Sequence, residues 1–287
     1  MTDGSRAGKA RKLRSLHDGP ALVLPNAWDA ASAVLVAHAG AAAIATTSGG
    51  VGWSLGRTDG EGLARADMAE AVRRIAAAVT VPVTADVEGG YGPEPEDVAA
   101  TVRAVVDAGA VGINLEDSRA ADGTLLPVSV QVRRIGAARD AAAEAGVPDF
   151  FVNVRTDVYL LQVGAPDERL DDVLARADSY AQAGADGLFV PGLLDLDALA
   201  SLTASSPLPV NAMAGPGGPS VAELAGVGVR RISVGTAIAQ AAYGLVQRAA
   251  RELLQTGTYR SLDQSLCYPE LNAMFAASRG GPSEQPL

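Results

Sequence analysis

Four stretches of this 287-residue chain end in side chains able to do acid–base or metal chemistry: Asp86 with Glu88, Glu116 with Asp117, Arg155 with Asp157, and Asn211. The usual nucleophiles and bases are scarce. Lysine occurs only as Lys9 and Lys12, histidine as His17 and His38, and cysteine as Cys267, none of them where a strand is expected to end. A Schiff-base lysine, a Cys–His pair and a Ser–His–Asp triad are therefore hard to build. Any catalysis must draw on carboxylates, arginine, hydroxyls and a bound divalent cation.

Side chains two apart on a strand point to the same side, which sorts these residues by face. Thr84, Asp86 and Glu88 share a face, as do Asn114 and Glu116, and as do Asn153, Arg155 and Asp157. Between them Val87, Leu115 and Val154 are apolar and suit a helix-covered side. Any one carboxylate at a strand end is more simply a solvated loop residue or a cap, and Asp117 is read that way. The set Asp86, Glu88 and Glu116 is not, because buried like charges need a cation or strong pairing.

The elements that must position these groups are β-rich runs alternating with alanine-rich helical patterns. Strands are expected at Ala21–Trp28, Ala42–Ser48, Val81–Glu88, Val111–Asp117, Phe150–Asp157, Gly187–Gly192, Leu208–Ala214 and Arg230–Gly235. Helices are expected at Leu63–Val79, Glu94–Ala108, Val128–Ala145, Asp167–Ala183 and Asp195–Ser201, several stopped by a glycine that takes the left-handed conformation cheaply. Eight βα units predict an α/β fold, a (β/α)8 TIM barrel in a single domain over 1–287, whose active site forms at the C-terminal mouth. A doubly wound sheet would carry a glycine-rich first turn, and the turn here reads Asn26-Ala27-Trp28-Asp29. Residues 1–19 form an N-terminal helical arm, 237–278 hold extra terminal helices, and 279–287 read as a tail.

The formal charge of −10 argues against nucleic-acid binding, which needs a basic face. No apolar run reaches the roughly 20 residues of a membrane span. The one basic cluster, Arg6 to Arg14, reads as a solvated first helix whose Leu13 and Leu16 pack on the body. A single cysteine fits a reducing cytoplasm.

Oxygen donors without placed His or Cys favour Mg²⁺, or Mn²⁺, over zinc. Arg155 suits the anionic part of a substrate, and equally a structural pairing with Asp157 or Glu116. The run Thr46-Thr47-Ser48-Gly49-Gly50-Val51-Gly52 could converge backbone N–H groups on a carboxylate, although such glycine-rich loops are common. The loop Ala214–Gly218 reads as a plain tight turn.

These residues, in this order, resemble the isocitrate lyase/phosphoenolpyruvate mutase superfamily. The resemblance is carried by Leu24-Pro25-Asn26-Ala27-Trp28-Asp29, Thr47-Ser48-Gly49-Gly50 with Asp59 beyond, Ala85-Asp86-Val87-Glu88-Gly89-Gly90-Tyr91-Gly92, Ile113-Asn114-Leu115-Glu116-Asp117, Asn153-Val154-Arg155-Thr156-Asp157 and Val210-Asn211-Ala212-Met213. It implies a barrel assembled as a homotetramer, with terminal helices exchanged between paired subunits. Asp86, Glu88 and Glu116 would hold the metal, partly through water. Ser48, Gly49 and Gly50 with Arg155 would hold the substrate carboxylate, which Asp86 also meets. Asp59 would sit on the gating side, and Trp28 and Asn211 would line the pocket. Asp59, Arg155 and Ser48 are the residues expected in the chemistry.

Two departures matter. Where the lyases carry a Lys-Lys/Arg-Cys-Gly-His loop, this chain reads Ser118-Arg119-Ala120-Ala121-Asp122-Gly123-Thr124-Leu125-Leu126-Pro127. Where the phosphonate branch places a histidine, it reads Phe189-Val190-Pro191-Gly192. The expected function is a Mg²⁺-dependent lyase of a small 2-oxo or 2-hydroxy (di)carboxylic acid, oxaloacetate- or alkylmalate-like, working through an enolate. A carbon–phosphorus enzyme and a non-catalytic 2-oxo acid binder are the alternatives.

Overall fold

The structure is a computed structural model and describes residues 4–278; the expected tail at 279–287 lies outside the described residues. Nine parallel strand segments make one sheet. They are β1 (Leu22–Leu24), β2 (Asn26–Ala27), β3 (Ile44–Thr46), β4 (Val83–Asp86), β5 (Gly112–Glu116), β6 (Phe151–Arg155), β7 (Gly187–Phe189), β8 (Val210–Met213) and β9 (Arg231–Ser233). Their order, β1-β9-β8-β7-β6-β5-β4-β3-β2, begins and ends in the two halves of a single expected strand.

Pro25 explains the split. It has no N–H to give to a ladder, so β1 pairs with β9 and β2 pairs with β3 on either side of it. The Asn26 side chain spans the break. Its Oδ1 accepts from the N–H groups of Val234 and Gly235, both at 2.9 Å, and its Nδ2 donates to the Thr46 carbonyl at 2.9 Å. The eight-stave barrel is thereby closed through its first stave.

The helices, eleven among the described residues, are α1 (Arg6–Ser15), α2 (Ala30–His38), α3 (Ser48–Ser54), α4 (Arg65–Ala78), α5 (Pro95–Asp107), α6 (Val128–Glu144), α7 (Arg169–Gln182), α8 (Leu196–Ser205), α9 (Val221–Gly226), α10 (Ala237–Thr256) and α11 (Tyr268–Ser278). The expected stops hold: Gly109, Gly146 and Gly184 follow α5, α6 and α7 with φ of 104°, 79° and 101°. Val87, Leu115 and Val154 are fully buried in the core cluster between staves and helices. The strands are shorter than expected, at two to five residues. The run read as a loop at Thr46–Gly52 instead winds into α3 from Ser48.

The N-terminal arm does more than lie on the surface. Leu13 of α1 is fully buried, and a Cβ on Gly112 of β5 would stand 2.8 Å from the Phe151 carbonyl oxygen and 3.0 Å from Leu13 Cδ2. His17 follows, stacked on Phe151 with ring centroids 4.0 Å apart, its Nδ1 2.9 Å from the Leu13 carbonyl. At the other terminus, α11 packs on α2 of the same chain, with Met274 and Phe275 against the cluster of Val34, Ile75 and Val79. Among the described residues no helix is long and apolar enough to cross a membrane.

Candidate active site

The mouth is built by the ends of β3 to β6 and the loops that follow them. Register places Asp86 beside Asn114, Asn114 beside Asn153, and Glu116 beside Arg155. The inward face therefore carries two polar tiers. The lower tier is an amide layer. Asn153 Nδ2 donates to Asn114 Oδ1 (2.9 Å) and Asn211 Oδ1 (3.1 Å), while Asn211 Nδ2 donates to the Arg231 carbonyl (3.1 Å) and Ser233 Oγ (3.2 Å). Asn211, expected to line the pocket, is placed in this layer, with both ends of its amide engaged.

The upper tier is charged. The Arg155 guanidinium forks onto Asp157 through Nε–Oδ1 at 2.6 Å and Nη2–Oδ2 at 3.0 Å, and reaches Glu116 Oε2 through Nη1 at 2.8 Å. The structural pairing is thus present, with the guanidinium still partly exposed to the mouth. Asp86 Oδ2 accepts from the Ser48 N–H at 3.0 Å, which ties β4 to the first turn of α3. Gly49 and Gly50 continue that turn, whose opening N–H groups lack intrahelical acceptors. A Cβ on Gly49 would stand 2.9 Å from Thr236 Cγ2 and 3.1 Å from Asp59 Oδ2, so the Asp59 loop lies against the turn. A Cβ on Gly50 would stand 2.7 Å from Cβ of Trp28, which also tilts onto Tyr243 of α10 at 6.2 Å.

Glu88 sits on a forced turn. It and Tyr91 have φ of 51° and 60°, a region that costs a non-glycine residue roughly 1 kcal/mol or more. Buried Arg134 holds this loop by donating to the carbonyls of Gly89, Gly92 (2.9 Å) and Pro93 (2.7 Å), and Arg65 donates to the Tyr91 carbonyl at 2.9 Å. The Glu88 carboxylate accepts from the Glu61 N–H and from the Tyr91 hydroxyl at 3.2 Å. Sequence reasoning missed Glu61, Tyr91 and Arg134. Only the Gly89-Gly90-Tyr91-Gly92 run hinted that this loop needs support.

Burial raises all three acids of the set. It lifts Asp86 against the pull of Arg155, and lifts Glu88 from 4.5 to about 7 with Asp86 and Asp59 adding repulsion. Glu116 is likewise held above the ordinary range by burial, against the pull of Arg155. Because the folded value of Glu88 exceeds its unfolded one, its contribution to stability is complete below about pH 4.5 and is lost as pH rises through about 7. Over that window in EDTA, the wild-type Tm should fall by ~5 °C relative to Glu88→Gln. Parallel melting profiles would show that this carboxyl carries no burden.

Asp117 stays outside the acid set, but it is neither the solvated loop residue nor the cap expected, because Arg176 and Tyr180 reach over it and shut it off from water. It is fully buried on the helix side, accepting from Tyr180 Oη (2.7 Å), Arg176 Nη1 (3.0 Å) and the Asp157 N–H (3.1 Å). Asp117→Ala should cost about 3–5 kcal/mol, because Arg176 and Tyr180 would be left buried and unpaired. Thermal melting checks this, with a loss under about 1 kcal/mol as the contrary result.

Asp86, Glu88 and Glu116 act on one another electrostatically, yet no three His, Cys, Asp or Glu side chains among the described residues converge to chelate one ion. Glu116 is spent largely on Arg155. The all-oxygen donor set fits a hard ion that touches one or two carboxylates and meets the others through water, the mode Mg²⁺ favours. It does not fit a direct three-carboxylate grip. The segment replacing the lyase Cys-Gly-His loop is a tight hairpin: Ser118 bridges Leu125, the Arg119 N–H donates to the Thr124 carbonyl at 2.9 Å, and Ser118 Oγ donates to Asp157 Oδ2 at 2.6 Å.

A family model described as phosphoenolpyruvate phosphomutase matches residues 13–254. An uncharacterized protein of Mycobacterium tuberculosis is 38% identical over 258 residues, covering 90% of this chain and 93% of that one. The 2-methylisocitrate lyase of Escherichia coli K12 is 32% identical over 197 residues, covering 66% of this chain and 63% of the enzyme. Among solved structures, a Burkholderia cenocepacia J2315 chain is 46% identical and covers 88% of this chain and 100% of that one, with a TM-score of 0.80. A phosphonopyruvate hydrolase in complex with oxalate and Mg²⁺ is 25% identical and covers 94% and 96%, with a TM-score of 0.82.

Proposed function

Since the chain belongs to the phosphoenolpyruvate phosphomutase family, within the isocitrate lyase/phosphoenolpyruvate mutase superfamily, we propose that it is a Mg²⁺-dependent carbon–carbon lyase of a small 2-oxo or 2-hydroxy (di)carboxylic acid. One observation carries this reading. At the mouth Asp86, Glu88 and Glu116 are held above their ordinary pKa by burial, and Arg155, the cation that acts on Asp86 and Glu116, is already shared with Asp157. The Mg²⁺–oxalate complex of the phosphonopyruvate hydrolase supports the choice of ion and of ligand class.

Asp86 and Glu88 would hold the ion and Glu116 would reach it through water. When bound, the ion supplies positive charge where the enolate oxygen develops. With the Ser48 N–H given to Asp86, the N–H groups of Gly49 and Gly50 beside Ser48 receive the substrate carboxylate, and Arg155 offers its exposed edge to the same group. Asp59 closes the mouth from the α3–α4 loop. Trp28 walls the far side through its packing on Gly50, and Asn211 keeps Asn153 in register below. With a hairpin of Ser118, Arg119 and small residues in place of a Cys-Gly-His loop, protonation falls to solvent water.

The test is turnover of oxaloacetate and of branched 2-hydroxy diacids by EDTA-treated and Mg²⁺-loaded protein. Equal behaviour of the two preparations overturns the reading. The family model's own description favours a second one, cleavage or migration at a carbon–phosphorus bond. Phosphorus NMR on phosphonopyruvate decides it, and an unchanged spectrum over hours removes it.

Assembly is part of the proposal. On and after α10, Val246, Leu253, Leu254, Tyr259 and Tyr268 lie more than half exposed. We take this apolar stripe to be covered in a homotetramer in which the terminal helices are exchanged, α11 trading the α2 face of its own chain for the same face of a partner. Light scattering that gave a monomer would overturn it.

A further inference from the structure

Barrel interiors are ordinarily filled by bulky branched residues. Here β9 instead turns an arginine inward. Arg231 is 1% exposed, and its only side-chain hydrogen bond runs from Nη2 to Asn114 Oδ1 at 3.2 Å. Its Nε and Nη1 have no acceptor, and it forms no ion pair among the described residues. A guanidinium so placed is costly unless opposite charge lies close by.

Asn114, its anchor, stands beside Asp86 in register and two residues before Glu116 on the same face. Arg231 therefore lies one tier beneath the carboxylates. Asp86 is the charge that acts on it, pulling against a burial effect that lowers Arg231 to about 10. Arg231 also acts on His17, which burial and Arg231 itself push down to about 4, so it stays neutral and adds no competing charge.

We propose that Arg231 is a resident counter-charge for Asp86, a positioning residue that steadies the metal-free site and competes with the divalent ion for that carboxylate. The competition rests on the metal reading above; the pairing with Asp86 does not. If both hold, the cation and Arg231 do one electrostatic task twice, and removing the arginine weakens the metal-free fold while strengthening the grip on metal. A residue that merely packed the barrel would lower stability equally with and without metal.

The experiment uses the full chain at pH 8 with Arg231→Met, Asp86→Asn and the double variant. In EDTA, Arg231→Met should lower Tm by about 10 °C, and by less than about half of that in the Asp86→Asn background. Calorimetry should find Mn²⁺ bound at least about tenfold more tightly by Arg231→Met than by wild type. Equal Tm losses in both backgrounds would overturn the pairing, and an unchanged Mn²⁺ affinity would overturn the competition. If Arg231→Met cannot be recovered soluble, a soluble double variant supports the pairing and an insoluble one overturns it. Wild-type protein that binds no Mn²⁺ removes the metal reading and the competition together, whereas the melts in EDTA still decide the pairing.

Discussion

Asp86→Asn should abolish divalent-ion binding and cut turnover of a 2-oxo acid at least about a hundredfold, while the Tm in EDTA stays within about 2 °C of wild type. The amide keeps an oxygen for the Ser48 N–H, so the link between β4 and α3 survives. What disappears is the negative charge. Losing it relieves the burial penalty and the repulsion from Asp59, and forfeits the attraction of Arg155 and of Arg231, effects of opposite sign. A structural residue would behave otherwise, as Asp117→Ala should. The check is calorimetry with Mn²⁺ beside melting in EDTA. Wild-type metal affinity in this variant would remove Asp86 from the ligand set.

Arg155→Lys should lower oxo-acid affinity or kcat/KM about a hundredfold and also lower Tm by about 5–10 °C. One guanidinium serves Asp157 through two donors and Glu116 through a third, and it lies 6.0 Å from the Phe189 ring centroid. An ammonium is a point charge that cannot span both carboxylates. The two variants therefore separate by signature: Asp86→Asn loses metal and keeps its fold, whereas Arg155→Lys loses substrate and stability but keeps Mn²⁺ binding. Steady-state kinetics and melting curves suffice. Wild-type values for both would mean that the fork neither binds substrate nor braces the mouth.

The alternation of β4, β5 and β6 was readable because inward polar residues there interrupt otherwise apolar runs. Val87, Leu115 and Val154 went to the helix side, and Asn114, Glu116 and Arg155 met across adjacent strands. Length was less readable, since strand ends are set by where inward side chains engage loops, as with Asp86 and Ser48. The glycines at 49 and 50 read as loop formers, yet they are bare because Trp28, Asp59 and Thr236 crowd them inside a helical turn. Arg231 gave no warning. In Gly228-Val229-Arg230-Arg231 two arginines adjoin, and only the register shows that Arg230 is exposed while Arg231 is enclosed. Arg134 and Glu61 were invisible for a related reason: Arg134 meets backbone carbonyls, and Glu61 meets the Glu88 carboxylate and the Tyr91 N–H, of a loop dozens of residues away.

The proline in the first stave has a dynamic corollary. Ordinary ladder bonds elsewhere in the cylinder are lost only when whole strands separate, but across this seam a lone carboxamide fastens the amides of Val234 and Gly235. Deuterium uptake at those two amides would then register loosening of the first stave before that of its neighbours.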